Sequence, residues 1–172
     1  GEVSGDKYWE NTFEKVSGND PLLPEWSTLI FKNLLENIAF RDQVIQRFAV
    51  YLTTIYQAEI TLNILDSIKT VFQNPMPRHI QRWNSPPNIA TWSRNIDSLR
   101  NYLEKRPAYI REHIGDLFPV TDSAKIELSR IGQGSISASG VVLSDTIISI
   151  EFFKNAQLQL KAIPAPGYEF IS

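Results

Sequence analysis

The sequence has no cysteine, one methionine and two histidines. The first absence removes disulfides, thiolate zinc sites and cysteine nucleophiles together, and leaves the redox compartment open. With only His79 and His113 available, and no H-E-x-x-H or related spacing, no metal site is expected. Long apolar runs are also missing: none approaches the roughly 18 residues of a membrane span, so no spanning segment is expected. Residues Gly1–Glu10 carry neither a basic n-region nor an apolar h-region. Nor is there an excess of one charge. Seventeen Lys+Arg face 19 Asp+Glu for a net of -2, so no bulk positive field exists and nucleic acid is not an expected partner.

What remains is an ordinary globular composition. In 172 residues, 42% hydrophobic and 21% charged residues are enough to build a core in one domain or two small ones. The pair Gly1-Glu2 in place of an initiator Met reads as an excision point, and the expectation is a fragment of a larger parent.

The chain divides by pattern. Residues 1–20 are polar, with Gly5, Gly18 and Asn19-Asp20 ahead of Pro21, and are expected as an extended lead-in anchored only by Tyr8, Trp9 and Phe13. Residues 21–118 are expected to be a helical subdomain. Trp26, Leu29, Ile30, Leu34 and Leu35 recur at three- and four-residue steps after Pro24, the mark of an amphipathic helix ending near Asn37. Asn37 can cap a second helix, with Phe40, Val44, Ile45, Phe48, Leu52 and Ile55 on its core face and Arg41, Asp42 and Gln46 on the opposite one. A third, about Ala58 to Phe72, turns Ile60, Ile64, Leu65, Ile68 and Val71 to the core. A short helix over Met76–Trp83 and a stiff Ser85-Pro86-Pro87-Asn88 connector follow. A fifth helix runs from about Ile89 to Lys105, and Arg106-Pro107 marks a bend into a sixth carrying Tyr109, Ile110, Ile114 and Leu117.

Beyond Phe118-Pro119 the apolar period falls from 3.6 to 2, which predicts four to six short strands in a small β module over residues 119–172. The expected fold class is therefore α+β: a bundle of five or six helices followed by a small, mainly antiparallel β module. A sheet of this size leans on the helices or lacks a final strand.

Candidate chemistry is sparse. Arg78, His79 and Arg82 lie within five residues on the short helix and could converge on a carboxylate or phosphate; the alternative is that they tie loop carbonyls. His113, beside Ile114, reads as a histidine packed at the core edge. Gly132-Gln133-Gly134-Ser135-Ile136-Ser137 opens like G-x-G-x-x-G, but strand pattern follows where a dinucleotide fold needs a helix, so a hairpin turn is expected. Asp97, Glu104, Glu112 and Asp116 have the spacing of a solvated helix face. Trp26, Trp83, Trp92, Tyr102 and Tyr109 read as packing residues, whereas Phe152, Phe153, Tyr168 and Phe170 are the aromatics a binding strand would use. No nucleophile–base pair can be nominated, so the site expectation is no catalytic, cofactor or metal residue, with Arg78, His79 and Arg82 as the anion or partner contact.

Several segments together resemble the CotH kinase family, atypical kinases related to spore-coat protein H. They are Pro24-Glu25-Trp26-Ser27-Thr28, Leu34-Leu35-Glu36-Asn37, Phe40-Arg41, Arg47-Phe48, Met76-Pro77-Arg78-His79-Ile80-Gln81-Arg82-Trp83 and Arg106-Pro107-Ala108-Tyr109-Ile110-Arg111-Glu112-His113. The resemblance covers about Pro21 to Phe118 and departs at Ile38, where relatives often carry proline. It implies a secreted or surface-associated bacterial protein kinase using ATP and a divalent cation such as magnesium. Its metal-binding aspartates, in a D-x-D segment followed by Phe-Gly, have no counterpart here, and Asn19-Asp20 is no substitute. The tail is similar to small β repeats appended to exported bacterial proteins.

The leading expectation is thus a non-catalytic C-terminal fragment that buttresses a kinase half absent from this chain. It would itself hold no cofactor, and an exposed helix face could support a dimer. The rival is an autonomous cell-surface adhesion module binding a glycan or protein.

Overall fold

The computed structural model describes residues 7–19, 22–120 and 122–171. The start of the expected lead-in and its closing Asp20-Pro21 pair lie outside them. The chain groups into two compact units: Gly1–Glu10 with Ile55–Ile110, and Asn11–Thr54 with Arg111–Ser172. This grouping cuts across the sequential boundary expected after residue 118, because the strands share a unit with an early helix.

The second of these units begins where extended chain is expected. Instead, Asn11 accepts hydrogen bonds through its side chain from the Phe13 and Glu14 amides and caps a single turn, α1 (Thr12–Glu14). A wide turn over Lys15–Asn19 follows, broken at Gly18 with φ 85°. The gain that winds this stretch is burial of Phe13, whose ring meets Phe48 and Phe118 edge-on. Next come α2 (Glu25–Leu35) and α3 (Ile38–Thr53), and the Asn37 side chain caps α3 by accepting from the Phe40 amide at 3.1 Å, as its position predicts.

Helix α3 is the centre of this unit. Ile45, Ala49, Val50 and Leu52 are buried, each large side chain contributing about 1.5–3 kcal/mol. Against them lie strands from the far end of the sequence. β1 (Ser123–Ser129) pairs antiparallel with β4 (Ile147–Phe153), from Ser123↔Phe153 to Ser129↔Ile147. A second sheet has the order β3-β2-β5, built from β2 (Gly134–Ala138), β3 (Val141–Leu143) and β5 (Leu160–Pro164), all antiparallel. Ile150, Phe152, Phe153, Leu128, Ala138 and Leu143 face the core.

Two expectations about the β segment need correction. The glycines at 132 and 134 do not make a hairpin, because β1 and β2 belong to different sheets; the segment crosses from one sheet to the other. Gly134 is required there by close approach, since a Cβ would lie 2.5 Å from the Ile163 carbonyl oxygen. The hairpin turn is Ser139-Gly140, where both residues have positive φ, 46° and 84°, the two-residue geometry that matches strand twist. In addition, Tyr168–Ile171 forms no strand.

The other unit holds α4 (Ala58–Gln73), α5 (Met76–Trp83) and the greater part of α6 (Ile89–Leu117). Arg100 on α6 pairs with Asp66 on α4. The two helices expected on either side of Arg106-Pro107 are one: α6 continues through Pro107. Proline removes one donor, and the turn is held from outside. Arg106 is buried, its Nη1 donating to the Tyr8 and Glu10 carbonyls at 2.7 Å each, while Tyr8 packs on Tyr109.

The largest departure concerns which faces are buried. On α4, Ile60, Ile64, Ile68 and Val71 are exposed, Val71 to 69%, and only Leu65 of the expected core face is buried. On α2, Trp26 and Ile30 are 78% and 76% exposed, and the buried residue is Thr28. These are regular amphipathic helices whose apolar stripes face solvent.

Candidate functional site

Helix α5 forms because Pro77 suits a first turn, and it ends at Asn84, which adopts the left-handed conformation (φ 48°) as its amide bonds the Ile80 carbonyl at 2.8 Å. Helical spacing sets Arg78, His79 and Arg82 within one arc of the surface, and all three are exposed. The structure separates their roles. His79 Nε2 lies 2.9 Å from the Ser85 carbonyl oxygen, which can only accept, so the ring donates there and fastens the loop after the helix. Arg82 lays its guanidinium 4.8 Å from the centre of the Trp83 ring. Arg78 has no hydrogen-bonding or ionic partner among the described residues. Of the expected trio, then, the two arginines are the groups available to an anion.

A second constellation escapes sequence reasoning. Gln46, expected on the solvent face of α3, is fully buried. Its Nε2 donates to the Phe153 and Ala156 carbonyls at 2.8 Å, and its Oε1 accepts from the Phe153 amide at 3.2 Å. One turn earlier, Asp42 accepts from the Gln157 amide at 3.0 Å; one residue later, Arg47 Nε donates to the Ser139 carbonyl at 2.8 Å. Together they tether the end of β4 and the β2–β3 turn to α3. At Gly140, whose φ is 84°, a Cβ would lie 2.5 Å from Arg47 Nη2, so a side chain there would strain the turn and displace the guanidinium. The signal for Gln46 is indirect. Val44, Ile45, Phe48, Ala49, Val50 and Leu52 wrap too much of the helix for one face to stay wet, so a polar residue among them must find buried partners.

At the end of α6, Arg111 reaches the Glu151 carbonyl at 3.4 Å and its carboxylate at 3.7 Å, and stands 5.5 Å from the centre of the Phe153 ring. Burial lowers its pKa, partly offset by the Glu151 charge. Ser123 Oγ donates to the same carboxylate. Arg111, Ser123 and Phe153 line an open cleft of about 510 Å³ together with Glu112, Asp116 and Asp122. With Glu151 engaged by both Arg111 and Ser123, the cluster fastens the end of α6 to the β1–β4 pair. His113 is buried close by, as expected for the core edge.

Among the described residues no three His, Cys, Asp or Glu side chains assemble as a metal-holding group, and at Gly134 the backbone lies against Ile163 and Pro164 of β5.

Fold and site define a helix-first α+β protein in which polar side chains of one helix, the buried Gln46 among them, hold a β module in place. A model for "CotH kinase protein" matches residues 4–110, more than half of the chain, and the chain belongs to that family. No curated protein and no solved structure matches it.

Proposed function

We propose that this chain is the non-catalytic helical portion of a CotH-like atypical protein kinase, acting at the cell surface or outside the cell as the seat for a catalytic half that is not part of it. The observation that carries this reading is the outward-facing row Ile60, Ile64, Ile68 and Val71 on α4. Spaced by four, four and three residues, these side chains form one stripe. A β-branched stripe on a regular helix is costly to leave in water, at roughly 25 cal/mol per Å² of apolar surface, and marks a surface built to be covered. In the absence of the catalytic half, the same stripe would drive association of two copies. Among the described residues no helix is long and apolar enough to cross a membrane.

Isothermal titration of the chain with the polypeptide encoded immediately upstream tests the reading. Binding is expected, and the double variant Ile64→Lys/Ile68→Lys should abolish it with an unchanged far-UV circular dichroism spectrum. Absence of binding, or binding indifferent to the two lysines, would overturn it.

A further inference from the structure

The stretch from Ser67 to Ile96 contains no aspartate or glutamate, although the whole chain has 19 acidic residues. It does contain Lys69, Arg78, Arg82 and Arg94, and α5 lies at its centre. We propose that the exposed face of α5 is a binding site for a phosphorylated peptide segment, with Arg78 and Arg82 as the groups that hold the phosphoryl oxygens. This goes beyond the scaffold role and does not depend on it.

The geometry favours a phosphoryl group over a carboxylate. Residues four apart on a helix are neighbours, so Arg78 and Arg82 rise from adjacent positions and their long stems can bring both guanidinium forks to one anion. A carboxylate saturates one fork, whereas a phosphoryl group has three acceptor oxygens and can use both. Both arginines are exposed with no acidic partner among the described residues, and Arg82 is held against the Trp83 ring, which reduces the entropy lost when it binds. His79 acts as a positioning residue: its bond to the Ser85 carbonyl fixes the loop that follows Trp83. Trp83 itself, 61% exposed, offers an apolar platform for the residue next to the phosphoryl group. An anionic membrane is a poorer match. Met76 and Ile80 are the half-buried residues of this eight-residue helix, turned to the side away from the arginines, so beside the basic face a single indole, Trp83, is all there is to insert into lipid.

Fluorescence anisotropy with the full chain tests this, using a labelled phosphoserine peptide, its unphosphorylated twin and phosphatidylserine vesicles as probes. The phosphopeptide should bind about tenfold more tightly than its twin, the size expected from one or two charge-assisted hydrogen bonds. Arg78→Ala/Arg82→Ala should erase that preference with no change in far-UV circular dichroism, and backbone NMR shifts on titration should centre on residues 78–84. Equal affinity for the two peptides would overturn the proposal. So would a preference that survives in the double variant, or binding to vesicles without binding to the phosphopeptide. None of these readouts involves an upstream polypeptide, so failure here leaves the scaffold reading standing, and the reverse also holds.

Discussion

Gln46 shows how much one side chain can decide. It spends both ends of its amide on backbone groups more than a hundred residues away, where no water competes. Replacement by alanine would leave the Phe153 amide and two carbonyls without their partner, and each unsatisfied buried group costs about 1–3 kcal/mol. Gln46→Ala should therefore lose about 3 kcal/mol in urea unfolding, and a loss below about 1 kcal/mol would mean the tether is relieved by water. Arg111 behaves differently. Its burial is partly offset by Glu151, which is itself half-exposed, and a pair so placed couples weakly, by about 1 kcal/mol or less. Its lowered pKa means the unfolded chain holds that proton more firmly. Stability from this group rises only as pH climbs through the guanidinium range, and it is flat near neutrality.

At the scale of elements, the period of the apolar residues is enough to place α2 to α4 and the change to strands, and the prolines at 75 and 77 place α5. Caps and prolines supply the ends, as Asn37 and Pro77 show. What periodicity cannot supply is direction. A stripe at 60, 64, 68 and 71 says that one face is apolar, not that the structure puts it toward solvent, because that depends on a partner the pattern does not name. The same limit hides Gln46, whose helix position fits a wet face until strands from the other end of the sequence arrive. Of the candidate site, the arginines on α5 are legible because unpaired charge on a short helix is visible in the sequence itself. Pro107 misleads for a related reason: proline usually breaks a helix, yet Arg106 and Tyr109 anchor this turn to residues 8–10. Since the Pro107 ring still removes one donor, Pro107→Ala should raise thermal stability, by about 1 kcal/mol at the transition midpoint. A drop in stability would show that the ring itself is packed into that anchor.

For the whole molecule, the grouping of Asn11–Thr54 with Arg111–Ser172 carries a sharp expectation. The β module takes its supporting face from α3, and its two sheets have two and three strands, the first below and the second at the minimum for a sheet that no helix backs. Residues 119–172 produced alone should give no dispersed NMR amide spectrum and no cooperative melt, while the full chain should give both. A well-dispersed spectrum from the short piece would show that the module is self-sufficient.

The reach of that interleaving extends to the ribosome. Gln46 and the Phe153 backbone it grips are separated by 107 positions, and at a synthesis rate of about 5–20 residues per second the early helix must wait roughly 5–20 s for its strands to emerge. Throughout that interval its greasy side is bare, so the nascent polypeptide is a natural client for holding chaperones, and slowing translation should raise the fraction lost to aggregation.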